Sequence, residues 1–173
     1  MAERSWDLES GPRIAPPAEH GLADRDIVDF WLREEAMPLP VAEQRVSQVH
    51  LVAAEEDGAI AGVSSAYLER SEQLRMPMWH YRAFVGEAYR RTAVAVRLAV
   101  TGRQVLSERF VSGADQRAPG IIYEVENADL RRMFPEARWL PTDFWFIGEN
   151  AYGDHVRVHW FPGALAPGPY GRT

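Results

Sequence analysis

The stretch Phe84-Val-Gly-Glu-Ala-Tyr-Arg-Arg-Thr-Ala-Val-Ala-Val-Arg-Leu98 joins the end of an apolar strand to the start of a long helix. The strand that ends in this stretch covers residues 78–85, which are mainly apolar and aromatic. Gly86 follows them, which is typical of a buried strand that ends in a tight loop. After it, apolar residues recur at helical spacing and predict a helix from about Tyr89 to Phe110. The stretch therefore predicts a strand, a short loop and a helix in direct succession.

The start of that helix is suited to a phosphate group. The first N–H groups of a helix have no intrahelical acceptor, and the helix dipole adds positive charge at the same end. Arg90 and Arg91 add two full positive charges. A helix start with solvated arginines and no ligand is the alternative interpretation of the same residues. We expect this segment to hold a phosphate-bearing ligand.

The flanking elements mix strands and helices. Asp57-Gly58 is typical of a hairpin and joins two predicted strands into an antiparallel pair. A strand that returns after the long helix implies a parallel crossover. The other predicted elements are helices at 24–37, 41–47 and 127–134 and strands at 50–54, 59–69, 121–125, 143–148 and 155–161. The sequence therefore predicts an α+β fold with a mixed sheet.

The last predicted strand alternates between polar and apolar residues. Its polar residues His155, Arg157 and His159 fall on one side, which predicts a strand with one face toward water. His155 and His159 are ~13 Å apart along an extended chain, too far to share a metal ion. We predict no metal site.

Bulk composition narrows the class of protein. The chain has 173 residues, a formal net charge of −6, 46% hydrophobic residues and no cysteine. This length and composition are typical of one globular domain, and the absence of cysteine excludes disulfides and thiolate chemistry. The negative charge disfavours nucleic acid, and no apolar run reaches the ~18 residues of a membrane span. The start also lacks the residue order of a signal peptide. We expect a cytoplasmic protein with no nucleic-acid or membrane partner.

Proline and glycine are frequent at both ends of the chain. They predict an irregular N-terminal segment at 1–21 and a flexible C-terminal tail at 163–173. One domain at 22–162 lies between them.

The order of these elements resembles the GNAT superfamily of N-acetyltransferases, which use acyl-coenzyme A. The quoted stretch is similar to the family's first cofactor motif, Arg/Gln-x-x-Gly-x-Gly/Ala, and reads Arg90-x-x-Ala93-x-Ala95, so that Ala93 replaces the first glycine. The resemblance implies acetyl-CoA or another acyl-CoA as cosubstrate. It also implies a GNAT-like mixed central sheet of about six to seven strands, with a splayed parallel pair and flanking helices. The implied cofactor-binding residues are Phe84, Val85, Arg90, Arg91, Thr92, Ala93, Val94, Ala95 and Asn127.

A second segment, Ile122-Tyr-Glu-Val-Glu-Asn127, is similar to the family's strand that ends in an asparagine before its next helix. The resemblance implies that the thioester lies between residues 84–85 and 123–125. The family usually has a tyrosine further on, which protonates the departing thiolate. Here that position is Phe134. Tyr123 or Tyr81 is the alternative proton donor, and each is equally explained as strand packing.

Two residue types on these strands suit a general base. Glu124 and Glu126 share one side of a strand that we expect helices to cover, and burial raises the pKa of a carboxyl group. His80 lies on the strand before the loop, near where several family members hold a catalytic glutamate, and histidine titrates in the required range. A carboxylate paired with an arginine and a hydrogen-bonded core histidine are the alternatives that need no catalytic role.

Together these features predict an N-acyltransferase that transfers an acyl group, with acetyl as the expected one, to a primary amine of a small molecule or a protein. The resemblance also implies a homodimer. A catalytically degenerate GNAT-fold protein, acting as a CoA-ligand sensor or partner-binding module, is the first alternative, motivated by Ala93 and Phe134. An unrelated α+β binding domain is the second.

Overall fold

The computed structural model describes residues 7–165. Its strands are β1 (Arg13–Ala15), β2 (Val49–Ala54), β3 (Ile60–Ser71), β4 (Met76–Val85), β5 (Gly120–Val125), β6 (Arg138–Trp139), β7 (Phe144–Glu149) and β8 (His155–Trp160). Its α-helices are α1 (Asp24–Arg33), α2 (Leu39–Arg45), α3 (Val94–Val111) and α4 (Ala128–Met133). Residues 1–6 of the predicted irregular segment and residues 166–173 of the predicted tail lie outside the described part.

All eight strands form one mixed sheet in the order β1-β2-β3-β4-β5-β8-β7-β6. β4 and β5 pair in parallel, with Trp79 opposite Ile121 and His80 opposite Ile122. The pairs β1–β2, β2–β3, β5–β8, β6–β7 and β7–β8 are antiparallel. The predicted α+β fold with a parallel pair and flanking helices is confirmed. The extra strands are β1 and β6 at the two sheet edges. With three and two residues, they are too short to show a strand period in sequence.

The chain forms two compact units. The first unit contains residues 7–66 together with 82–102 of the described chain, and helices cover both faces of its strands. On one face, Phe30 and Trp31 of α1 pack with Val52 and Val63. On the other face, α3 contributes two residues to a cluster with Leu51, Ala53 and Ala61; these are Val94 and Leu98.

The second unit contains residues 67–81 together with 103–165 of the described chain. One face of its strands holds an apolar cluster of Met78, Ile122, Val156 and Val158. The opposite face carries aromatic rings and the polar residues of β8. That polar side does not face water as the sequence predicts, because the chain between α4 and β7 covers it: Arg157 is 1% exposed and His159 is 9% exposed.

The long helix begins later than the sequence predicts, at Val94 rather than at Tyr89. Residues 87–89 form a 3-10 turn instead. The Thr92 hydroxyl then caps the start of the helix. It donates to the Tyr89 carbonyl (2.7 Å) and accepts from the N–H of Val94, the first helical residue (3.3 Å). Side chains of this type compete with helix geometry and favour helix starts. Within residues 7–165, no helix has the length and apolarity to cross a membrane.

Gly120→Ala tests the close approach of β5 and β8. A Cβ atom at position 120 would lie 2.4 Å from the His159 carbonyl oxygen, which is backbone and cannot rotate away. We expect the free energy of unfolding to fall by about 2 kcal/mol or more, because overpacking typically costs 1–3 kcal/mol. Urea denaturation measures this.

The matched control is Gly86→Ala. Gly86 has φ −58°, and its added methyl group would meet the Glu34 carboxylate at 3.4 Å, an ordinary contact. We expect this variant to stay within about 0.5 kcal/mol of the parent protein. Equal stability of the two variants would contradict the close-approach explanation.

Candidate functional site

The loop between β4 and α3 is tied down at its first half by two carboxylates. Glu34 accepts from the Glu87 N–H at 2.8 Å, and the Tyr89 hydroxyl donates to Glu55 at 2.9 Å. The hydrogen bond to Glu55 raises the pKa of Tyr89. Negative charge beside residues 87–89 disfavours an anion there. An anion would therefore meet the second half of the loop.

That second half carries the predicted cofactor residues. Arg90 folds back toward β4: its Nε donates to the Val85 carbonyl at 3.4 Å, and its guanidinium lies 6.0 Å from the Phe84 ring centroid. Arg91 and Thr92 are exposed. The first intrahelical hydrogen bond runs from Arg97 N–H to Ala93 O, so Ala95 N–H lies ahead of it. The predicted cofactor-binding segment therefore offers backbone N–H groups and cationic side chains over a few consecutive residues.

The two candidate bases lie on the same face of the sheet. His80 on β4 is opposite Ile122 on β5, and side chains alternate along β5, so Glu124 projects on the same side as His80 and Ile122. His80 is half-buried, with its ring centroid 5.2 Å from that of Tyr67. On this face, His80 or Glu124 can accept a proton from a bound molecule.

Glu124 is exposed, as is Glu126, which corrects the expectation that helices cover them. Glu124 sits at the end of β5, opposite Val156 in β8. Asn150 in the β7–β8 turn lies 3.3 Å from it and donates to its carboxylate. Glu124 is thus an accessible carboxylate with an amide partner rather than a buried acid.

Tyr123 projects from the opposite face. Its ring contacts those of Tyr81, Phe144 and Trp139 at centroid distances of 5.7, 6.0 and 6.3 Å. Burial raises the pKa of Tyr123 to about 12, and the charge of Glu126 contributes. The hydroxyl therefore keeps its proton at neutral pH and can act as a hydrogen-bond donor.

Asn127 caps α4, as the sequence predicts. Its Oδ1 accepts from the N–H groups of Asp129 and Leu130 at 2.9 and 3.1 Å. Phe134 follows the helix, and its ring lies 5.8 Å from that of Trp139. The Trp139 indole N–H also donates to the Phe134 carbonyl at 2.8 Å. The position where the family usually has tyrosine is therefore packed into an aromatic cluster.

Sequence reasoning missed Arg157 as a structural centre. Its guanidinium lies 3.7 Å from the Trp139 ring centroid and donates to the carbonyls of Glu136 (3.0 Å) and Ala137 (3.4 Å). Burial lowers the pKa of Arg157 to about 10, against the opposing charge of Glu136, so the group stays cationic at neutral pH. Only its strand alternation was visible in sequence. The residues that cover it come from a loop 20 positions away.

His159 contacts Asp143, the residue before β7. Its Nδ1 lies 3.1 Å from the Asp143 carbonyl oxygen and 3.3 Å from the carboxylate. A carbonyl oxygen only accepts, so Nδ1 carries the hydrogen. Asp143 also accepts from Arg138 at 2.6 Å and lies 3.9 Å from Arg103. This cluster joins α3, β6, β7 and β8 within the second unit.

The fold was compared with those of known proteins. No family model and no curated protein matches the chain. Among solved structures, NAA60 of Arabidopsis thaliana in complex with acetyl-CoA has a TM-score of 0.57 at 12% identity, covering 87% of this chain and 100% of that chain. An acetyltransferase of the GNAT family from Streptococcus pneumoniae has a TM-score of 0.51 at 11% identity, covering 87% and 99%. This chain has the GNAT fold.

A further GNAT-fold likeness is to ribosomal-protein-S5-alanine acetyltransferase from Vibrio fischeri, with a TM-score of 0.55 at 13% identity over 88% of this chain and 94% of that chain. Within this GNAT fold, the predicted cofactor-binding segment 84–95 lies in the first unit. The second unit brings His80 and Glu124 to one face and Tyr123 to the other, and it also contains Asn127.

His159→Gln tests the electrostatic effect of burial. Burial lowers the pKa of His159 below its ordinary value of 6.5, although the Asp143 carbonyl opposes this. The folded state therefore favours the neutral ring. Its contribution to stability is complete above pH 6.5 and is lost as the pH falls toward the lowered value.

Because glutamine does not titrate, we expect the variant to lose less stability than the parent between pH 7.5 and about pH 5.5. Urea denaturation of both proteins at the two pH values measures the difference. An equal loss in both would show that other groups control stability in this range.

Proposed function

We propose that this GNAT-fold chain is an acyl-CoA-dependent N-acyltransferase in which an amine attacks the thioester directly. The observation that supports this most is the segment from β4 to α3. It combines a strand end, the cations Arg90 and Arg91, and helical N–H groups ahead of the first intrahelical bond. A pyrophosphate suits these groups. The fold is also that of NAA60, which was solved in complex with acetyl-CoA.

In this proposal, the segment 90–95 holds the pyrophosphate through the backbone N–H groups of Ala93 and Ala95 and the side chains of Arg90 and Arg91, since the N–H groups of Arg90, Thr92 and Val94 donate within the loop. Phe84 and Val85 lie where the strand meets the loop in the first unit and would contact the pantetheine arm. Ala93 places a methyl group where the family motif has glycine, so it narrows the approach of a phosphate to the backbone. Acetyl-CoA is the cosubstrate we propose, with another acyl-CoA as the alternative.

The reaction needs two proton transfers. Glu124, or His80 on the same face, takes a proton from the acceptor amine as its nitrogen attacks the thioester carbonyl carbon. The carbon–sulfur bond then breaks, and the electron pair leaves with sulfur. Tyr123, or water, protonates that thiolate. The products are an amide and the free thiol of coenzyme A.

The acceptor we propose is an amine of a small molecule or a protein. The net charge of −6 favours approach of a cationic molecule. We further propose that residues 22–162 act as one catalytic domain in a homodimer and that the protein works in the cytoplasm.

The second candidate function is binding without turnover. Phe134 supports it, since a ring packed against Trp139 supplies no proton. In this case the chain would bind CoA or a partner and act as a sensor. Binding and turnover assays separate the two candidates.

Acetyl-CoA should stabilise the protein against heat. A ligand at 100 times its Kd adds about 2.7 kcal/mol to the free energy of unfolding, which corresponds to roughly 5–10 °C in Tm for a chain of this size. Ala93→Glu should abolish the shift, because the added carboxylate would repel the pyrophosphate. Differential scanning fluorimetry with acetyl-CoA and CoA measures it.

Ala93→Gly is the matched control, since it removes the methyl group without adding charge, and it should keep or increase the shift. Each variant's Tm without ligand must first be measured. No shift in the parent protein at millimolar ligand would contradict the proposal.

Glu124→Gln and His80→Gln should identify the base. We expect the variant that removes it to lower kcat about 10²-fold or more at neutral pH, since a general base contributes on the order of 10²–10⁴. Its rate should recover as the pH rises, because more of the amine is then neutral. Thiol release assays from pH 6 to 10 measure both effects. Unchanged kcat in both variants would contradict a base on this face.

A further inference from the structure

Asn150 uses every hydrogen-bonding position of its side chain. Its Oδ1 accepts from the N–H groups of Tyr152 and Asp154, each at 2.9 Å. Its Nδ2 donates to Glu124 at 3.3 Å and to the Asp154 carboxylate at 3.4 Å. An amide has two donor hydrogens and one acceptor oxygen with two lone pairs. All of this capacity is engaged within the β7–β8 turn and β5.

These bonds leave only one orientation for the amide. Two backbone N–H groups can be satisfied only by Oδ1, so the NH₂ group must point toward the carboxylates. The donor facing Glu124 is thus set by the backbone of the turn. Asn150 is half-buried, whereas Glu124 is exposed.

Polar contacts also join the β7–β8 turn to α4. Arg131 donates to the Gly153 carbonyl and lies 3.8 Å from the Asp154 carboxylate. Arg131 and Asp154 both have largely buried side chains, at 24% and 18% exposed. A chain of polar contacts therefore runs from Arg131 in α4 through Asp154 and Asn150 in the turn to the Glu124 carboxylate.

We propose that Asn150 is a positioning residue that orients the Glu124 carboxylate for proton transfer, an inference that rests on the proposed function. An exposed glutamate otherwise samples several rotamers, and only some point its carboxylate at an acceptor. Reactions of this type are sensitive to displacements on the order of 1 Å. The amide donor selects one carboxylate orientation without binding the substrate itself.

Asn150→Asp tests this proposal without removing the turn. The new side chain keeps an oxygen for the two backbone N–H groups but loses both donor hydrogens. We expect kcat to fall about tenfold, a part of the 10²–10⁴ that a general base contributes. The acid limb of the pH–rate profile should move to higher pH, because the introduced carboxylate faces the carboxylates of Glu124 and Asp154. Arg131, 3.8 Å from Asp154, is the cation of this cluster.

A double-mutant cycle separates positioning from a structural effect. If Asn150 acts through Glu124, Asn150→Asp should have no further effect on kcat in a Glu124→Gln background. A tenfold loss in both backgrounds would overturn the proposal. Tyr152→Ala is the control on the same turn, because its side chain is 90% exposed and its backbone N–H is retained. It should keep kcat within twofold.

A readout without turnover distinguishes this proposal from the proposed function. The ¹⁵N resonance of the Asn150 side-chain amide should shift in Glu124→Ala and stay in place in Glu126→Ala, which alters an exposed carboxylate two residues away. No shift in Glu124→Ala would overturn the positioning role even if acetyl-CoA binds. If the resonance shifts but the parent protein does not bind acetyl-CoA, the contact between Asn150 and Glu124 is confirmed. The proposed acyltransferase function is then rejected.

Discussion

Six consecutive residue pairs between β5 and β8, from Gly120 opposite Trp160 to Val125 opposite His155, determine the arrangement of the second unit. Because strand side chains alternate, a slip by one residue would exchange the two faces. The observed register places Glu124 on one face and Tyr123, opposite Arg157, on the other. Gly120 permits this register, since any side chain there would collide with the backbone of β8. Both proton-transfer candidates of β5 thus depend on one strand pairing.

The same register forces a cation into the interior. Burying the Arg157 guanidinium is costly unless its donors are satisfied. Carbonyl groups after α4 and the face of the Trp139 indole provide that compensation. Cation–π contacts gain strength when water is excluded. Arg157 therefore holds the segment after α4, which contains Phe134, against the sheet. From sequence alone, Arg157 is predicted to face water.

Anion recognition and proton transfer are assigned to different parts of the chain in this proposal. The loop and helix start after β4 supply N–H groups and arginines, while residues of β4, β5 and the β7–β8 turn supply groups that titrate or donate. Ala93 and Phe134 are the two departures from the family pattern, one in each part. Neither removes the groups on which the proposed chemistry depends, because N–H groups remain at the helix start and Tyr123 retains its proton at neutral pH.

Local sequence determined the α+β class, the long strands and helices and the Asn127 cap, because periodicity, turn residues and caps are encoded by neighbouring residues. The phosphate-binding segment stays a prediction. Local sequence did not reveal the short edge strands or the later start of α3. Burial and partners were decided only by tertiary structure. Glu124 became exposed and bonded to Asn150, and Arg157 became buried, because residues more than 19 positions away determine what covers a side chain or donates to it.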